Sequence, residues 1–177
     1  MSSSRRHKLR TILSLGCLII LSACDPPQPP AEPEPENPFL GVWSLVDWTR
    51  QGPDGVITYP FGEAPQGLLV YTSEGQMSAH LMRAERDPDR FADMDGPTAL
   101  RALTASTYFA YWGGYTIDDG AATVTHHVTG GLSAAFTGSE QVRHFRFEGS
   151  DRLVLSPASR APVETRSVSE LTWVRVR

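Results

Sequence analysis

From Val42 onward, apolar and polar residues alternate in short runs separated by turn residues. Val42–Trp48 (VWSLVDW) mixes β-branched and aromatic residues with partial alternation, and a turn at Gly52-Pro53-Asp54-Gly55 leads into Val56–Tyr59 (VITY). Gln66–Thr72 (QGLLVYT), the turn Ser73-Glu74-Gly75 and Gln76–Met82 predict a hairpin by turn chemistry and flanking pattern. Further strands are predicted at Trp112–Ile117, Thr123–Thr129, Gln141–Glu148, Arg152–Ser156 and Ser169–Arg175. The turns between them carry Asp118-Asp119-Gly120, Gly130-Gly131 and Gly149-Ser150-Asp151. Short strands at this spacing point to an all-β domain, a sandwich or a closed barrel. One segment breaks the rhythm. Pro97–Tyr111 places Leu100, Leu103, Thr107 and Tyr111 at three- and four-residue steps behind a leading proline, which predicts one amphipathic helix. The polar, charged stretch Glu85–Gly96 before it reads as a mobile loop.

The N-terminal region follows a different pattern. Arg5, Arg6, Lys8 and Arg10 precede an apolar run from Thr11 to Leu21. That run is shorter than the roughly 20 residues a membrane-spanning helix needs, and has the length of a signal-peptide core. It ends in Leu21-Ser22-Ala23-Cys24, which resembles the bacterial lipobox, with the Cys24 thiol taking the diacylglycerol. Asp25–Pro38 (DPPQPPAEPEPENP) is half proline and cannot form a core. In polyproline II, at ~3.1 Å per residue, it makes a stalk of about 40 Å. The expected organisation is a lipoprotein signal peptide at 1–23, a lipidated cysteine and Pro-rich linker at 24–38, and one barrel domain at 39–177. The expected location is the cell envelope, lipid-anchored on the periplasmic face of the inner or outer membrane.

Charge and cysteine content narrow the chemistry. Of 16 basic and 20 acidic residues, four basic ones lie in the leader, which leaves 12 against 20, a net of −8. Such a domain lacks the basic surface that nucleic acid requires, so no nucleic-acid partner is expected. All 12 are arginines, which removes Schiff-base and general-base lysine chemistry. The two cysteines, Cys17 and Cys24, both precede the domain, so it has no disulfide, thiolate metal site or cysteine nucleophile.

Specific stretches carry a family resemblance. Gly41-Val42-Trp43 matches the Gly-X-Trp of the first lipocalin strand, and Arg175 matches the last-strand arginine that covers that tryptophan. Gly67–Ser78, Tyr111–Thr116, Val124–Val128, Gly138–Arg143 and Leu171–Arg175 follow in the order seen in the bacterial and fungal lipocalin-like domain family, which the chain resembles over Leu40–Arg175. The resemblance implies an antiparallel lipocalin-like β-barrel of about eight strands with one short helix, closed where Trp43 meets Arg175. A guanidinium on an indole face contributes ~0.5–2 kcal/mol. Barrels host many functions, so the resemblance carries fold rather than chemistry.

Three functions follow from such an interior. Eight-stranded barrels can hold one small ligand, and the expected pocket residues are Tyr71, Tyr115, His127, Gln141, Arg143 and Trp173 among apolar neighbours. An apolar or amphipathic small molecule is the favoured partner, with membrane contact through the lipid anchor. The alternative is a cofactor-independent isomerase, cyclase or hydrolase in which Arg143 fixes a carboxylate or enolate and His127 or His126 moves a proton. The third is a structural or interaction module whose barrel is filled. Neighbouring residues on a strand face opposite ways, so His126 and His127 cannot share an ion, and neither metal nor cofactor is expected.

Overall fold

The computed structural model describes residues 37–86, 95–159, 162 and 165–177. The leader, Cys24, most of the stalk and the centre of the Glu85–Gly96 loop lie outside these residues. The elements are β1 (Gly41–Gln51), β2 (Ile57–Thr58), β3 (Gln66–Tyr71), β4 (Gln76–Met82), α1 (Thr98–Ser106), β5 (Tyr108–Asp118), β6 (Thr123–Gly131), β7 (Glu140–Phe147), β8 (Arg152–Pro157) and β9 (Val168–Arg175). Every strand pairs antiparallel with its neighbour in the order β2-β1-β3-β4-β5-β6-β7-β8-β9. A further pairing of β1 with β9 closes eight of these strands into a barrel, and β2 remains as a short addition on the end of β1.

Closure is fixed where the sequence places it. Trp43 and Arg175 are opposite each other in the β1–β9 register, and the guanidinium carbon lies 4.1 Å from the indole centroid. Arg175 also donates to the carbonyls of Leu40 (2.5 Å), Pro38 (2.7 Å) and Ser150 (3.1 Å), tying the barrel entry to its last strand.

The helix is shorter than periodicity predicts. It ends at Ser106, and Tyr108–Tyr111 open β5 instead. These four residues pair with Met82, Leu81, His80 and Ala79 of β4, so a ladder of sheet bonds and aromatic packing overrides the three- and four-residue spacing. None of the residues of α1 is buried.

Two bulges set which side chains point inward. One leaves Val46 unpaired between Leu45 and Asp47, so Trp43, Leu45 and then Trp48 share the inner face. The other leaves Thr129 unpaired opposite the Trp112–Gly113 step. There the β6 backbone comes so close that a Cβ on Gly113 would sit 2.0 Å from the His127 carbonyl oxygen.

The barrel interior is packed at one end. Phe39, wholly buried just before β1, makes edge-on contacts with Tyr71 (5.2 Å), Phe145 (4.9 Å) and Phe147 (5.0 Å). Trp43 joins this cluster and donates its indole N–H to the Phe39 carbonyl at 2.8 Å. Asn37 caps it, donating to the Tyr115 hydroxyl at 3.2 Å, and Tyr115 donates to the Thr72 carbonyl at 3.0 Å. Beyond this cluster, core side chains such as Leu69, Leu155 and Trp173 border an open cavity.

Candidate functional site

Beside the Phe39 cluster lies a cavity of about 340 Å³, within the range of about 300–1,000 Å³ typical of ligand pockets. Its wall is mainly hydrocarbon and aromatic: Trp48 from β1, Leu69 from β3, Leu81 from β4, Phe109 from β5, Leu155 from β8 and Trp173 from β9. Phe136, in the loop between β6 and β7, stands edge-on to Phe109 at 4.9 Å and covers part of the cavity. The polar side chains of the wall are Tyr111, His126, Gln141 and Arg143.

Strand alternation brings these four together. In β6 the buried positions are Val124, His126 and Val128, and His126 lies opposite Tyr115 on β5 and Gln141 on β7. His126 is 1% exposed and held at both ring nitrogens: Nε2 lies 2.7 Å from the Tyr71 hydroxyl and Nδ1 lies 2.8 Å from the Tyr111 hydroxyl. Burial pushes its pKa down to about 3, with the Arg143 charge and then His127 adding to the shift, so the imidazole is neutral. Burial raises the pKa of Tyr71 and of Tyr111, with Arg143 opposing the rise in both, so both phenols are protonated. The Tyr71–His126–Tyr111 chain spans the interior: Tyr71 belongs to the Phe39 cluster and Tyr111 faces the cavity.

Arg143 extends along the wall. Its guanidinium donates to the Gln141 amide oxygen (3.3 Å) and the Val142 carbonyl (3.0 Å), and its charge opposes the rise of the Tyr111 pKa. Gln141 in turn donates to the Ser139 hydroxyl at 2.8 Å. No ion pair among the described residues includes Arg143.

Of the residues expected from sequence to line a pocket, Gln141, Arg143 and Trp173 share this cavity. Tyr71 is inside the barrel but behind the wall, supporting His126. Tyr115 lies at the packed end, away from the cavity. His127 must be corrected: it points outward, 3.5 Å from Glu140 and 3.0 Å from the Thr116 hydroxyl, and the inward histidine is His126. The signal for this was present, because Val124 and Val128 share the parity of His126. Tyr111 is hidden in the sequence because its spacing fits the helical period, whereas it lies in β5. Trp48 is hidden in the sequence because the Val46 bulge reverses parity, and a one-residue insertion leaves no compositional mark. Among the described residues, no group of three His, Cys, Asp or Glu side chains is placed to share a metal ion.

A closed eight-stranded barrel with a partly polar, ligand-sized interior defines a lipocalin-type protein. The chain belongs to the lipocalin-like domain family, which matches residues 40–176. No curated protein matches it. Two solved designed proteins are similar: a redesigned β-barrel (11% identity, TM-score 0.40, covering 79% of this chain and 93% of the other) and a de novo designed fluorescence-activating β-barrel (10% identity, TM-score 0.37, 78% and 94%). Small-molecule binding in general is what this family's barrel implies.

Proposed function

We propose that this protein is a lipid-anchored envelope protein whose barrel holds one small, largely apolar or amphipathic molecule. The observation that carries the reading is the cavity itself: about 340 Å³, walled mainly by apolar groups with a few convergent polar ones at one side. Binding is favoured over catalysis because both nitrogens of His126 are engaged inside the protein and its basicity is suppressed. A histidine so held is a poor proton carrier for a substrate.

The anchor part of the reading rests on the leader and on Leu21-Ser22-Ala23-Cys24. Native mass spectrometry of the protein purified from a bacterial envelope, compared with the same sample denatured, tests the binding part. An extra mass that disappears on denaturation supports it; binding of no member of a small-molecule panel removes it. Metabolic labelling with an alkyne fatty acid tests the anchor. Label that is lost in Cys24→Ser supports lipidation, and an unlabelled wild-type protein rules it out.

A further inference from the structure

We infer that the molecule held in the cavity is an anionic amphipath, a carboxylate-bearing compound whose head is received by Arg143 and Tyr111. This inference rests on the preceding reading that the cavity is a binding site, and it concerns the kind of ligand.

The argument is a count of hydrogen-bonding groups. A guanidinium has five N–H donors and no acceptor. The hydrogen-bond partners of Arg143 are a backbone carbonyl and an amide oxygen, both neutral, and among the described residues no carboxylate pairs with it. Arg143 is half-buried, and an anion on its cavity side would form a charge-assisted pair with a partly desolvated guanidinium. Two further donors are unused. Among the described residues the buried indole N–H groups of Trp48 and Trp173 have no partner, and both side chains line the cavity.

Tyr111 supplies another donor. A neutral imidazole donates from one nitrogen and accepts at the other, so one of the two tyrosines donates to His126 and the other accepts from it. If Tyr111 donated, the proton of Tyr71, a residue 1% exposed and behind the wall, would be left without a described acceptor. Leaving a buried donor unpaired is the costly arrangement. The favoured arrangement has Tyr71 donating to Nε2 and Nδ1–H donating to Tyr111. The Tyr111 oxygen then accepts from His126, and its own O–H is free to point into the cavity. On the acceptor side, the Gln141 oxygen is already used by Arg143, and no carboxylate is among the described lining residues. The wall offers donors and a positive charge. A carboxylate, with two oxygens and a negative charge, matches both and fits the planar fork of an arginine.

Isothermal titration calorimetry of the purified protein with octanoate, octanol and octylamine tests this, because the three share a chain and differ only in the head. Octanoate is expected to bind about tenfold or more tighter than octanol, as for a charge-assisted pair against a neutral one, with octylamine weakest. Arg143→Gln should abolish the octanoate preference and leave octanol binding in place. Tyr111→Phe should reduce the preference. Arg143→Lys, which keeps the charge and loses the fork, should retain part of it and serves if the glutamine variant fails to fold, as judged by near-ultraviolet circular dichroism. Equal binding of octanoate and octanol, or tightest binding of octylamine, overturns the anionic ligand and leaves the cavity as a binding site. Binding of none of the three by folded protein overturns the inference together with the reading beneath it.

Discussion

His126 is a titratable group kept from titrating. Its pKa falls from an ordinary 6.5 to about 3, first because it is buried and then because Arg143 repels a second positive charge. Between those two values the unfolded chain binds a proton that the folded protein refuses, so this contribution to stability is complete above about pH 6.5 and is lost as pH falls toward about 3. At 1.36 kcal/mol per unit, the loss from this group between neutral pH and about pH 4 is roughly 3 kcal/mol. Urea unfolding at the two pH values should show wild-type protein losing that much more than His126→Gln, which has nothing to titrate at the position. Equal losses in the two proteins would mean that the imidazole is not held neutral by its surroundings. The same surroundings explain why the proton-transfer role considered for an inward histidine does not suit the structure: the two nitrogens that would do the work are both held by tyrosines.

At the scale of strands, the bulges matter more than the alternation they interrupt. Gly113 faces the point where β6 carries its extra residue, and a Cβ there would lie 2.0 Å from the His127 carbonyl oxygen, a clash with backbone that no rotamer can relieve. Gly114, its neighbour, would place a Cβ 3.6 Å from the Gly75 oxygen, an ordinary contact. Thermal or urea unfolding should therefore find Gly113→Ala destabilised by roughly 2–4 kcal/mol and Gly114→Ala within about 0.5 kcal/mol of wild type. Similar costs for both would place the bulge elsewhere. This is also the scale at which the sequence reads well and then stops. The hairpin at Ser73-Glu74-Gly75 is legible because the turn residue Gly75 adopts a φ of +76° between two alternating strands. The closing pair Trp43 and Arg175 is legible because it rests on a recognisable motif and not on local propensity. The start of β5 is not legible, since Tyr108–Tyr111 fit a helical period and only their pairing with β4 makes them strand. Trp48 is likewise hidden, because its inward orientation follows from a bulge two residues earlier.

Across the whole molecule the two ends of the interior are treated differently, and the difference carries an energetic argument. The Phe39 cluster fills its end with edge-on aromatic contacts at 4.9 to 5.2 Å, a good use of buried area. The other end keeps about 340 Å³ open beside residues that a larger side chain could have packed. Unfilled interior volume lowers stability because its lining lacks contacts on one side. Ala79 shows where filling is simplest: it is 2% exposed, lies between Leu69 and Tyr111 in the sheet register and lines the cavity. Ala79→Leu should raise stability by about 0.5–2 kcal/mol, the usual gain from filling a cavity. If the open volume is the binding site, the same substitution should weaken octanoate binding by about tenfold or more, the cost of displacing one well-packed group. Calorimetric titration and a thermal melt on the same sample measure the two effects together. A gain in stability with undiminished binding would separate the cavity from the function assigned to it. A loss in both would mean that the wall beside Tyr111 is too tightly packed to accept the side chain.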